Sequence, residues 1–479
     1  MRYTIVLPLA AALTSAIVIP DDVMAQQLSL GVNTPAEEAE NSGSSWWDAI
    51  YEGSSLHHVF FDENAHNHLD DIFPDVDASG HVLHTDDDVF NTDRPHRGGR
   101  HHGLLNLTVY QAIQASNYTK RFVALVDKFP DIVSLLNTTD SNVTVFVPVD
   151  KAFEKLPEQE HKPDKKWLQA FIEYHILPGF YPGGRMMASH TLPTSLTSGA
   201  LGDRPQRVRA SFGLFGLRMN FFSKIIVGNI ATKNGMIHGL DNILAPPPSA
   251  RRFVSLFPTK FSTLELAAEK TGLLPHGDDK HDEHHESLTG LTLFAPTNDA
   301  FRKLGPAAMA FLFNTEKGLT YLRALLKYHI VVNQTLYSDA YYGVKDDADM
   351  FMETHSDEDA EKSDMDNGHF HVDLPTLLDD KHLSIDISRW YRFIRMRINT
   401  YHTVAVQDCL AHNGVVQVVS SVLLPPREPK KDAAWTGVEG WITVEDLVER
   451  LQPYIDDDAG NADMGTGGGA AKDWPWGEL

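Results

Sequence analysis

Tyr174-His175 and Tyr328-His329 each close an apolar helical run, 154 positions apart (328 − 174). An imidazole titrates near neutrality and can serve as base, ligand or pH switch. A tyrosine beside it adds a ring and a hydroxyl, so each pair could form an adhesive contact. His238 and Asp241 stand three apart and could act as a pair. Asp408 precedes Cys409, the only cysteine, in the strand-like run "VAVQDCLA". Each candidate also has a structural reading. The histidines could bond to nearby backbone with the tyrosines half-buried, His238 and Asp241 could brace the fold, and Asp408 could stabilise a turn. Cys409 reads as buried and inert.

Histidine is abundant, at 24 residues, and dense in "HHVFFDENAHNH", "RPHRGGRHHG", "HGDDKHDEHHE" and "HFHVD". Such tracts can bind zinc or copper, and His369 and His371 could share a strand face. Most lie in segments without apolar periodicity, which cannot hold a tight geometry. No metal site and no cofactor is therefore expected. "SDMDNGH" misses the glycine register of a calcium loop by one residue. The sequence has no G-x-S-x-G, no H-E-x-x-H, no P-loop and no C-x-x-C, so the chain reads as a non-enzyme.

Net charge over the 479 residues is −24, which argues against a nucleic-acid partner. Residues 1–25 read as a signal peptide: a short basic start, an apolar run and small residues before a cleavage point after Ala25. Secretion predicts glycosylation, and Asn106, Asn117, Asn137, Asn142 and Asn333 each open an N-x-Ser/Thr sequon. No later stretch reaches eighteen apolar residues, so no integral membrane segment is expected after cleavage. One cysteine permits no internal disulfide, so stability must come from large apolar cores.

The elements that would position these residues occur twice. Residues 26–103 read as an acidic, His-rich, flexible leader. Then "FVALVDKF" places Phe122, Leu125, Val126 and Phe129 on one helical face. "NVTVFVPVD" alternates with period two, and Asp150 looks like a helix N-cap. Amphipathic "WLQAFIEYHIL" follows, then strands "RVRAS", "LRMNFF" and "KIIVGN". "NGMIHGLDNILAPPP" closes the half, with Asn234-Gly235 suggesting the positive φ of a hairpin turn. The second half repeats the order through "LTLFAPTND", "YLRALLKYHIV", "LSIDIS", "FIRMRIN" and "NGVVQVVSSVLLPP". It gains an acidic insertion at about 345–368 that reads as a solvated loop. "TVFVPVDKAF" and "TLFAPTNDAF" lie 148 apart (292 − 144), so the repeat is a whole domain. Residues 428–479 read as a linker, a short amphipathic helix in "WITVEDLVERLQPYI" that docks on the body, and a flexible tail.

"TVFVPVDKAF" and "TLFAPTNDAF" resemble the first signature box of fasciclin (FAS1) domains. "NGMIHGLDNILAPP" and "NGVVQVVSSVLLPP" resemble the second, and "EYHILPG" and "KYHIVVN" the Tyr-His motif between them. The chain thus resembles a secreted or vacuolar tandem fasciclin protein of the fungal kind. The resemblance implies an α+β fold of two consecutive wedge-shaped β-sandwich domains with packed helices, over 104–249 and 252–427. It also implies a non-enzymatic adhesion or binding protein, whose partner is a cell-wall or matrix glycan or protein, or a membrane protein. The alternative is a vacuolar or secretory-pathway factor with pH-sensitive binding. In the second half Gln417 and Ser420 replace the His238 and Asp241 of the first. Asp408-Cys409 stands where animal matrix relatives carry an Asp-Ile pair linked to integrin adhesion.

Overall fold

The first module runs β1 (Val143–Pro148), β2 (Ile176–Pro178), β3 (Thr191–Ser198), β4 (Arg204–Gly213), β5 (Gly216–Met219), β6 (Ser223–Ala231) and β7 (Gly235–Leu240). They form one seven-stranded sheet in the order β2-β1-β7-β6-β5-β4-β3. The computed structural model describes residues 106–156, 163–213, 216–273, 290–343, 368–378, 381–390, 393–426 and 442–455. The expected signal peptide and leader, nearly all of the acidic insertion, the linker and the tail lie outside those residues, as do most of the His-rich tracts.

β1 is buried on both faces. It pairs in parallel with β7 and antiparallel with β2, and a parallel pair of this kind is covered from both sides. On one side Val143, Val145 and Val147 meet Phe122, Val126, Ile132 and Phe171 of the helices. On the other, Phe146 joins Leu192, Val208, Met219 and Leu240. The outermost strands β2 and β3 touch each other, so the sheet folds over this second core.

The second module repeats the plan. It runs β8 (Leu291–Pro296), β9 (Ile330–Val332), β10 (Thr335–Leu336), β11 (Tyr341–Tyr342), β12 (Gly368–Pro375), β13 (His382–Trp390), β14 (Phe393–Ile398), β15 (His402–Ala411) and β16 (Gly414–Val419). Its sheet order is β12-β13-β14-β15-β16-β8-β9, with β10 and β11 a separate pair. β8 pairs in parallel with β16, as β1 does with β7. The α+β class and the two consecutive units are as the repeat suggests. Helix Val444–Leu451, capped by Thr443, seats Leu447 and Leu451 in the second module's core.

Two local expectations are corrected. Gly235 does not sit at positive φ. A Cβ there would lie 2.0 Å from the Val143 carbonyl oxygen, and one at Gly414 would lie 2.0 Å from that of Leu291. Glycine is needed because the parallel neighbour comes so close. Nor is Asp150 an N-cap of the helix it begins. Val149 and Thr297 hold the cap positions. Asp150 instead accepts from the backbone N–H groups of Lys120 and Arg121, and Asn298 from that of Thr263.

The Tyr-His pairs pin the helices to the sheets. His175 Nδ1 donates to the Phe171 carbonyl at 2.7 Å, and Nε2 accepts from Leu244 N at 3.0 Å. His329 repeats this with Leu325 (2.8 Å) and Leu423 (2.9 Å). Their own carbonyls accept from Phe146 N and Phe294 N on the central strands. The tyrosines are fully buried rather than half-buried. Tyr174 donates to the Arg207 carbonyl and accepts from Asn220, while Tyr328 accepts from Asn399.

Burial holds His175 and His329 at a pKa of about 4, despite the backbone carbonyls that favour the proton. His238 and His412 are held at about 4 for the same reason. Below the ordinary value of 6.5, the unfolded chain binds protons that the fold refuses. Stability is therefore full above that value and falls as pH drops toward 4, by about 1.4 kcal/mol per pH unit for each histidine. Denaturant titrations from pH 8 to pH 4 should show a plateau above pH 7 and steep loss below 6. Equal stability at pH 7 and pH 5 would refute this account.

Candidate functional site at the seam between the modules

His238 and Asp241 do not meet. His238 Nδ1 accepts from Asn229 N at 3.3 Å and Nε2 donates to the Tyr181 carbonyl at 3.0 Å. Asp241, half-buried, accepts from Lys224 N at 2.7 Å and ties the end of β7 to the start of β6. Gln417 performs the work of His238 in the second module. Its Oε1 accepts from Asp408 N at 3.0 Å, and its Nε2 donates to the Leu336 carbonyl at 2.9 Å. An amide and a neutral imidazole each offer one donor and one acceptor, so either satisfies the same strand irregularity.

Asn229 and Asp408 occupy matching places. Both lie where the register of β6 or β15 shifts, with φ of 58° and 57°. Asn and Asp tolerate this left-handed conformation better than most residues. Asn229 accepts from Gly183 N, and Asp408 Oδ1 accepts from Ser338 N at 2.8 Å. Asp408 also reaches into the first module: its Oδ2 accepts from His190 Nδ1 at 2.6 Å.

That contact lies in a polar seam between the modules. Asp339 accepts from the backbone N–H groups of His190 (3.0 Å) and Thr191 (2.6 Å), with Arg207 at 3.9 Å. Arg209 Nε donates across the seam to the Gln407 carbonyl, while within the second module Arg389 donates to that of Ser338. Gln206 and Ser198 both donate to the His412 carbonyl. Beneath them Leu201 of the first module packs on Tyr337, Tyr342, Leu410 and Val415 of the second. Burial alone would raise the Asp408 pKa. The His190 and Ser338 hydrogen bonds and nearby Arg209 outweigh it and hold the acid at about 2. Asp408 is thus a buried carboxylate at a domain joint, not a brace for its own turn.

Ser338, His190 and Asp408 form a triangle that resembles hydrolytic machinery in composition only. Ser338 Oγ lies 2.9 Å from His190 Nδ1, the same nitrogen that donates to Asp408. A relay needs acid and nucleophile on opposite ring nitrogens. Ser338 also donates to Asp408 and is fully buried.

Of the sequence candidates, Tyr174, His175, His238, Tyr328, His329 and Asp408 are all buried. All five sequon asparagines are exposed. Cys409 is buried, and burial pushes its thiol up to about 12. His190, Asp339, Arg207, Arg209 and Arg389 escaped sequence reasoning. None belongs to a motif, and His190 meets Asp408 across 218 positions.

Removing the Asp408 carboxylate should loosen the joint. Asp408→Ala strands His190 and Ser338 N without an acceptor, a loss expected to cost about 3–5 kcal/mol. Asp408→Asn should cost less, because Asn229 shows that the amide suits that backbone. Calorimetry is expected to show two separated transitions for the alanine variant. A stability within about 0.5 kcal/mol of the native chain would count against the seam.

Among the described residues no helix is long and apolar enough to cross a membrane. The fasciclin domain profile matches residues 117–246 and 259–425, more than half of the chain. The chain is 28% identical over 373 residues to Aurofusarin biosynthesis cluster protein S of Gibberella zeae, covering 74% of this chain and 87% of that protein. It is 23% identical over 342 residues to a Fasciclin-like arabinogalactan protein of Arthroderma benhamiae, covering 66% and 69%. Matches to large animal proteins are local, and the chain spans 8% of human Stabilin-1. A solved FAS1 domain pair from the insect cell adhesion molecule Fasciclin I aligns with a TM-score of 0.29 and 16% identity, covering 64% of this chain and 96% of that one. With two matched regions and a duplicated plan, the chain belongs to the fasciclin domain family.

Proposed function

We propose that the chain is a non-enzymatic binding protein of an extracellular surface, and that its two modules act as one rigid unit. The seam carries this reading: a buried carboxylate bonded across the joint fixes the spacing and orientation of two modules. A partner that touches both then gains avidity without first ordering a hinge. His175, His238 and His329 support a structural rather than a chemical role, since each spends both ring nitrogens on backbone partners. The partner is a cell-wall or matrix glycan or protein, or a membrane protein. Secretion with sugars on some of the exposed sequons fits that address. The acid sensitivity of four neutral buried histidines favours a neutral compartment over an acidic vacuole.

Fluorescently labelled full-length chain should be retained on intact cells or wall and matrix preparations at neutral pH, well above a size-matched acidic control. The Asp408→Ala variant should be retained less, with no surface residue altered. Retention no better than the control would sink the proposal. Equal retention of the variant would remove the rigid-unit part of it.

A further inference from the structure

The charge of this chain is not spread evenly. The described residues hold 28 Lys and Arg against 20 Asp and Glu, a net of +8, although the whole chain stands at −24. Acids are missing altogether from residues 387–407, which contain four arginines. Much of this run is the β13–β14 hairpin.

Strand alternation sorts that hairpin into two faces. Met396 and Ile398 are buried in the second core and Ile394 packs against it. Phe393, Arg395 and Arg397 are therefore on the opposite, exposed face. Across the ladder Trp390 pairs with Phe393, Ser388 with Arg395 and Asp386 with Arg397. Trp390 is 68% exposed and Phe393 45%. Among the described residues Arg395 and Arg397 have no ion pair or hydrogen-bonded side-chain partner. Two guanidinium groups and two partly exposed aromatic rings thus share one face.

We infer that the outer face of β13–β14 docks an anionic polysaccharide of the carboxylated, polyuronate type. This rests on the surface-binding reading above and names the partner's chemistry. Guanidinium forks match carboxylates bidentately. Aromatic rings present flat apolar faces to the C–H faces of sugar rings. Ser388 and Asp386 on the same face are hydrogen-bonded to His369 and His371 of β12. The same two residues make the face too polar to sink into a bilayer.

The test uses the full-length chain on immobilised polygalacturonate, with neutral dextran, dextran sulfate and anionic phospholipid vesicles in parallel. The native chain should bind polygalacturonate, and the binding should weaken as salt rises. Arg395→Gln/Arg397→Gln and, separately, Trp390→Ala should each lose at least about tenfold in affinity, a change of about 1.4 kcal/mol. Thermal unfolding should not change, because these side chains are exposed. The inference is overturned if the native chain ignores polygalacturonate, if the double variant binds it equally, or if neutral dextran, dextran sulfate or vesicles bind better. Native chain that is retained on cells but ignores polygalacturonate would reject this face and leave the broader reading standing. Retention on neither would reject both.

Discussion

A strand paired in parallel and buried on both faces can send no polar group to water. β1 and β8 are in that position, and much of each module answers to it. The parallel neighbour approaches so closely that Gly235 and Gly414 can carry no side chain. The carbonyls of His175 and His329 bond the strands from the other edge, and the two imidazoles then use both nitrogens to hold the helix end and the closing segment. A buried hydrogen bond contributes only about 1 kcal/mol net, but an unmade one costs more. This asymmetry explains why the Tyr-His pair recurs without any need for chemistry at its ring.

The same constraint shows how the two copies diverged. His238 and Gln417 satisfy one strand irregularity with different chemical groups. Asn229 and Asp408 hold one backbone conformation, but only the acid brings a charge into the interior. A buried carboxylate is costly unless it is paired and hydrogen-bonded. Asp408 finds its partners partly in the other module. A single Asn-to-Asp difference between equivalent positions thus coincides with the polar seam between the modules.

Charge at larger scale follows a related division. The described body is mildly basic, and the excess acid lies in the remaining sequence. The exposed rings and arginines of β13–β14 are a local departure that the net charge conceals.

Sequence alone determined the duplication, the α+β class and most of the elements, because apolar periodicity reports which face of a segment is buried. It gave Ile394, Met396 and Ile398 one face and Arg395 and Arg397 the other. It also placed the Tyr-His pairs at helix ends and offered the backbone-bonded histidine that the structure contains. It could not tell a glycine required by a close neighbour from one required by a turn, since both look like Asn-Gly. Only the tertiary structure decided that Asp408 meets His190, that Gln417 stands in for His238, and that Asp339 and the buried arginines form a joint. Periodicity encodes burial, while the partner of a buried charge depends on which distant strands fold together.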